Sequence, residues 1–281
     1  MTAVWRLGDR SISLARPVIV GIVNVTPDSF SDGGRSFSVD DAVVHALQLV
    51  QEGADVLDIG GESTRPGAVA VAVDEEFRRV LPVIEHVRRE LPSVPISVDT
   101  VKASVAEKAL AAGADIVNDV SAFRLDPEMA SVCAHARCGV ILMHSRGSVQ
   151  EMAKYDLADY SDVVAEVRAE LQGSVNRARA AGISDDQIVL DPGFGFSKRT
   201  EHSLELLQRL RDLSPLGFPL LVGLSRKRLV GELSGIDNPA ERDLASAALN
   251  IVALLKGADL FRVHAVQPNR LVLDVAVVAR R

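Results

Sequence analysis

The fold class that this 281-residue chain predicts is α/β, specifically a (β/α)₈ TIM barrel in one domain over residues 1–281. Three observations lead there. Short apolar runs alternate with longer amphipathic ones from end to end, polar residues close nearly every apolar run, and no linker or low-complexity tract interrupts the pattern.

The apolar runs lie at 18–24, 55–60, 96–99, 116–120, 140–143, 188–191, 220–223 and 260–263. Most are rich in Val and Ile and bounded by turn residues, as buried parallel strands are. Helical periodicity fills the intervals at 42–52, 75–91, 104–112, 162–181, 203–213 and 244–256. Several of these helices close on glycine, at Gly53, Gly113 and Gly257. Ahead of the first run, residues 4–14 read as a short hairpin turning at Gly8-Asp9 and plugging the barrel base. A doubly wound open sheet shares the alternation, because periodicity does not report closure. That fold commonly carries a Gly-rich turn after its first strand, and none stands here.

Composition narrows the function. A hydrophobic content of 47% with only 4% aromatic residues gives a core of Val, Leu, Ile and Ala. The net charge of −7 argues against a nucleic-acid or anionic-membrane surface, while a local cation cluster could still bind a small anion. No apolar run reaches membrane-spanning length, and no basic, apolar leader opens the chain. Cys133 and Cys138 fit no metal or redox spacing, so reduced thiols and a cytoplasmic location are expected.

Polar residues gather where the strands end: Asn24, Asp58, Asp99, Asn118, Asp119, His144, Asp191, the triplet Ser225-Arg226-Lys227, Arg262 and His264. In a barrel these positions converge on one mouth, where active sites sit. Helix capping explains one such residue but not so many. Two loops are especially informative. Gly60-Gly61-Glu62-Ser63-Thr64-Arg65-Pro66-Gly67 leaves the second strand with glycines that allow close backbone approach and with Thr and Arg suited to an anion. Asn24-Val25-Thr26-Pro27-Asp28-Ser29-Phe30-Ser31-Asp32-Gly33-Gly34 leaves the first. At Asp191-Pro192-Gly193-Phe194-Gly195-Phe196 the proline and glycines force an abrupt exit, leaving a carboxylate near the axis that needs donors.

These loops, with Ser97-Val98-Asp99-Thr100 and Gly223-Leu224-Ser225-Arg226-Lys227, resemble the signatures of dihydropteroate synthase, in family order over nearly the whole chain. The resemblance implies that 4-aminobenzoate is joined to the methylene carbon of 6-hydroxymethyl-7,8-dihydropterin pyrophosphate, with loss of pyrophosphate. It places the pterin among Asp99, Asn118, Asp191 and Lys227, with Met143 and Phe196 beside it. Asn24, Thr64, Arg262 and His264 match the residues holding the pyrophosphate, and Asn24 the ligand to Mg²⁺. Ser225 and Arg226 fall in the loop that meets 4-aminobenzoate, while Arg65 and Pro66, with Phe30 and Asp32, match a mobile lid. The expected catalytic set is Asn24, Asp99, Asp191, Lys227, Arg262 and His264.

An aryl amine is neutral at pH 7, so the difficult step is ionising the carbon–oxygen bond, and an SN1-like route is expected. A homodimer through outer helices is also implied, as is a sulfonamide target; the apolar helices at 244–256 and 271–278 could serve as that interface or could equally be ordinary barrel-packing helices, which is the safer reading from pattern alone. Departures from the family pattern at Ser197, Arg199, Ser203, Ala265 and residues 144–147 touch finer contacts rather than the reaction. Two rivals are a pterin-dependent methyltransferase and a catalytically silent pterin-binding paralogue. The first needs no pyrophosphate site; retention of Asn24, Lys227, Arg262 and His264 together argues against the second, although silent copies can keep their pockets.

Overall fold

A computed structural model describes residues 4–26, 38–64 and 70–279. The chain opens with an antiparallel hairpin of β1 (Val4–Leu7) and β2 (Arg10–Ser13), turning at Gly8 with φ +61°. Eight parallel strands follow among the described residues: β3 (Val18–Asn24), β4 (Val56–Gly60), β5 (Ile96–Asp99), β6 (Ile116–Asp119), β7 (Gly139–Met143), β8 (Ile188–Asp191), β9 (Leu221–Val222) and β10 (Leu260–Val263). They pair in the order β8-β7-β6-β5-β4-β3-β10-β9, and a bridge between Leu190 and Leu220 brings the two ends together. The sheet is a nearly closed barrel with its helices outside. All eight expected strands are present, four of them with the expected limits.

The helices differ from their sequence periodicity mainly at the ends. The run at 203–213 divides into a helix over Thr200–Gln208 and a 3₁₀ segment over Leu210–Leu216, which contains Pro215. Proline has no N–H for the α-helical ladder, and the tighter turn accommodates it. Helices over Met129–Ala136, Val149–Met152 and Arg228–Ser234 are too short to show a clear apolar stripe in sequence. Gly53, Gly113 and Gly257 all take positive φ just past a helix end, as expected.

Alternation along the strands separates two cores. Outward residues such as Ile19, Leu57, Val98, Val140, Leu190 and Phe261 pack beneath the helices. Inward residues Val20, Val56, Ile116, Ile141, Val189, Leu221 and Leu260 fill the barrel together with Trp5 and Leu7 of the hairpin. Trp5 is fully buried, and its Nε1 donates to the Gln187 carbonyl at 2.8 Å. Gly139 makes room for the plug, since a Cβ there would lie 2.3 Å from Leu7.

Two residues further along four of these strands the inward phase turns polar. Val56 is succeeded by Asp58, Ile116 by Asn118, Val189 by Asp191, and Leu260 by Arg262 and then His264. The period of two thus places an apolar floor directly under a polar layer. The fold positions the site by this change of chemistry.

Candidate active site

A cleft at the C-terminal mouth is lined by Thr64, Asp99, Asn118, Met143, Asp191, Phe196, Ser225, Lys227, Arg262 and His264, with Ile22, Val120 and Gly223. Ten of the residues expected at the site therefore share one concavity. Asn24 ends β3 beside it, next to Ile22 of the lining. Phe30, Asp32, Arg65 and Pro66 lie outside the described residues. Arg226 is in a left-handed conformation, and its guanidinium forms a two-pronged pair with Asp243, Nε and Nη2 each 2.7 Å from a carboxylate oxygen. It is tied to the start of the helix over Asp243–Leu255 and is not part of the cleft lining.

Arg262 organises the polar layer. Its Nε donates to Asp58 Oδ2 at 2.6 Å and its Nη2 to Asp99 Oδ2 at 2.7 Å. Asp58 is fully buried and also accepts from Asn118 Nδ2 at 3.1 Å, while its Oδ1 has no hydrogen-bond partner among the described residues. Burial pushes the Asp99 carboxyl up to about 7; Arg262 opposes this, and Asp58, Glu76 and Asp119 reinforce it. Sequence reasoning placed Asp58 at the mouth without a role, and only the fold reveals it as the anchor of Arg262.

Asp191 is buried, and burial raises its pKa against the pull of Lys227. It accepts from the Gly193 amide at 2.7 Å. Lys227 donates to the Phe194 carbonyl at 2.5 Å and stands 4.4 Å from the centre of the Phe196 ring. Burial brings this ammonium down to about 8 despite the neighbouring Asp191. Phe196, Met143 and Val120 form an apolar wall with Val101 and Met152. One side of the cleft thus offers carboxylate and amide acceptors beside a flat apolar wall, which suits a polar heteroaromatic ring with N–H donors on its edge.

The other side suits an anion. Ser225 Oγ lies 2.9 Å from His264 Nδ1 and accepts from the His264 backbone N–H at 3.2 Å. Thr64, beyond the end of β4, lines the same cleft. The loop carrying Thr64 is fixed at its base, where Glu62 accepts from the Val71 amide at 2.8 Å and from Lys102 Nζ at 2.8 Å. Asp119 faces outward and orders its own turn, accepting from Ser121 and Phe123 amides at 2.7 and 2.8 Å.

The comparisons with known proteins agree with this geometry. Residues 20–264 match the family described as pterin binding enzyme. The dihydropteroate synthase of Synechocystis sp. is 46% identical over 261 residues, covering 93% of this chain and 89% of the relative. That of Escherichia coli K12 is 43% identical over 260 residues, covering 92% and 89%. The solved structure of Xanthomonas albilineans dihydropteroate synthase with 4-aminobenzoic acid superimposes with a TM-score of 0.93 at 46% identity, covering 100% of this chain and 99% of that one. A structure of the same enzyme in complex with 7,8-dihydropteroate gives 0.89 at 44% identity, covering 99% and 98%. On fold, cleft and similarity over nearly its whole length, the chain belongs to the pterin binding enzymes and, among them, to the dihydropteroate synthase family.

Proposed function

We propose that this chain, acting as one domain over residues 1–281, condenses 6-hydroxymethyl-7,8-dihydropterin pyrophosphate with 4-aminobenzoate to give 7,8-dihydropteroate and pyrophosphate. The observation that carries the reading is the division of one cleft into an acceptor-rich half and an anion-binding half. Asp99, Asn118 and Asp191 receive the N–H edge of the pterin, Phe196 and Met143 flank its ring, and Lys227 adds a donor. Arg262, His264, Thr64 and Asn24 hold the diphosphate. Ser225 meets 4-aminobenzoate at the loop beside them, with Arg226 shaping that loop through Asp243. Phe30, Asp32, Arg65 and Pro66 close over the amine from the two loops outside the described residues.

Asn24 would contribute an amide oxygen to Mg²⁺. Among the described residues no cluster of three or more His, Cys, Asp or Glu could cage a metal. That fits an ion which keeps most of its water and bridges phosphates through one or two protein oxygens. Bound there, it would neutralise charge on the departing diphosphate. The chain's own residues do the rest. Arg262 presents a permanent cation, and Ser225 fixes the orientation of the His264 ring through Nδ1. Carboxylates on the opposite side favour positive charge developing on the pterin methylene; the carbon–oxygen bond breaks first, its electron pair leaving with pyrophosphate, and the amine then forms the carbon–nitrogen bond and gives up one N–H proton to solvent. This is an SN1-like order of events. A secondary isotope effect near unity at the methylene, with chemistry rate-limiting, would count against it.

The active unit in this reading is a cytoplasmic homodimer. The described residues include no helix long and apolar enough to cross a membrane. Two adjacent outer helices, Asp243–Leu255 and Val266–Ala279, each expose an apolar stripe: Leu244, Val252 and Leu255 on one, Leu271, Val275 and Val278 on the other. Such a continuous patch suits a second copy.

The test is pyrophosphate release by purified protein, with Mg²⁺, the pterin diphosphate and 4-aminobenzoate each omitted in turn and pteroate followed by mass. Release that needs 4-aminobenzoate and equals pteroate formation is the expected result. Tight pterin binding without turnover would mean a silent paralogue instead.

A further inference from the structure

Behind the cleft a chain of polar contacts that the reaction does not use runs from the buried Lys198 and His144 out to Glu170 and Arg146 nearer the surface. Lys198 is 1% exposed, and its Nζ donates to the carbonyls of Gly193 at 3.1 Å and Phe196 at 3.0 Å. Its third neighbour is His144 Nδ1 at 2.7 Å. The same imidazole places Nε2 3.1 Å from Glu170 Oε2. Glu170 also accepts from Arg146 Nε at 3.0 Å; although burial pushes this carboxyl up, hydrogen bonds from His144 and Arg146 hold it down to about 2.

Counting donors fixes the protons. Glu170 is an ionised acceptor, so His144 Nε2 must carry hydrogen. With that tautomer Nδ1 is an acceptor, and burial beside Lys198 keeps the imidazole neutral, its pKa near 4. Three acceptors then surround Lys198 Nζ, and only an ammonium satisfies all three. A neutral amine would set its lone pair against that of Nδ1. Burial pulls the lysine well below its ordinary value, against the pull of Asp191, so it gives up its proton more readily than an exposed lysine. The charged groups facing the pair are Asp191, Lys227, Glu170 and Arg146, with the Tyr160 ring 6.4 Å from His144.

We propose that the buried Lys198 and His144, with Glu170 at the partly exposed end, form a relay holding one proton, and that this relay positions the turn over residues 193–196 against the pterin. Lys198 grips the turn from behind through Gly193 and Phe196, while Lys227 grips it from the cleft through Phe194. Gly193 in turn donates to Asp191. Loss of the relay proton leaves Nζ two N–H bonds for three acceptors, which loosens its grip on the turn and shifts the Asp191 carboxylate and the Phe196 ring together. The three are positioning residues, and the proposal rests on the pterin reading of the cleft.

Nitrogen-15 spectra of the whole protein at pH 7 should show His144 with a protonated Nε2 and a bare Nδ1, and Lys198 as a slowly exchanging ammonium. A protonated Nδ1 or a neutral lysine would overturn the relay. Lys198→Met, checked for fold by circular dichroism, should bind 6-hydroxymethylpterin about tenfold to a hundredfold more weakly. Its affinity for inorganic pyrophosphate should stay unchanged, and equal pterin affinity would overturn the positioning role. If that variant does not fold, Glu170→Gln at the partly exposed end carries the test. Without the carboxylate the shared proton leaves more readily. The alkaline loss of pterin affinity should then move down by about one pH unit or more, and an unmoved profile defeats the idea. Wild-type protein that ignores 6-hydroxymethylpterin defeats the pterin reading itself, and the relay is then decided by the nitrogen spectra.

Discussion

Arg262 and Asp99 meet 2.7 Å apart across the barrel mouth, joining positions 163 residues apart in the chain. The pair stands where the apolar floor gives way to polar side chains, with Asp58 completing a three-membered charge group. Arg262 therefore has two duties: it neutralises two inward carboxylates, and it offers a cation to the cleft.

Arg262→Met should separate these duties. Removing one partner strands a fully buried Asp58, at a cost of about 3 kcal/mol in urea unfolding. The double variant with Asp58→Asn should recover much of that stability in a double-mutant cycle and none of the pyrophosphate release.

The two pH dependences arising from Asp99 should have opposite signs. Pterin N–H donors bind the ionised carboxylate, so affinity should be full above about pH 7 and fall below it. Stability of the unliganded protein runs the other way. The folded state takes up the proton near 7 and the unfolded chain only near 3.8, so this group favours folding increasingly as pH falls between those values. Calorimetric pterin titrations and melting curves of wild type and Asp99→Asn across that range check both, and the variant should lack both trends.

Ser225→Ala should leave the fold and pterin affinity nearly intact. It removes the hydroxyl 2.9 Å from His264 Nδ1 and so frees the imidazole orientation. The expected loss is about tenfold to a hundredfold in kcat/KM, borne mostly by kcat, and steady-state kinetics in both substrates measure it.

Gly193→Ala should be among the most damaging single-methyl changes. The residue sits at φ +69°, and an added Cβ would lie 1.9 Å from the His144 carbonyl oxygen. A loss of about 3 kcal/mol or more is expected, with soluble yield and thermal melting as the readout.

Leu271→Glu tests the assembly. Leu271 is 67% exposed, so the folded protomer should keep its stability while sedimentation shifts from dimer to monomer. A variant that stays dimeric would move the interface away from this helix.

Much of this was legible in the sequence because strand ends are local features. The Val-rich run over 18–24 announces β3, and its last residue, Asn24, announces the mouth. Asp191 and Lys227 are conspicuous for the same reason. Partnerships across the ring were not legible, since nothing near Asp58 in the chain mentions Arg262, some two hundred residues away. The partner of Arg226 was hidden in the same way: a Ser-Arg-Lys triplet gives no hint that its middle member turns back to Asp243. Lys198 carries no such local signal, and its burial against His144 belongs to tertiary packing alone.

The shortest strand, β9, has further significance. It pairs with β10 over two residues and meets β8 through the single Leu190–Leu220 bridge. The ring therefore has a seam, and that seam lies directly beneath Ser225 and Lys227. Its amides have the fewest ladder bonds to break, so they should exchange with deuterium ahead of the remaining barrel. The thinnest stitching in the molecule thus supports the loop that must part from product, while the Trp5 plug keeps the opposite end shut.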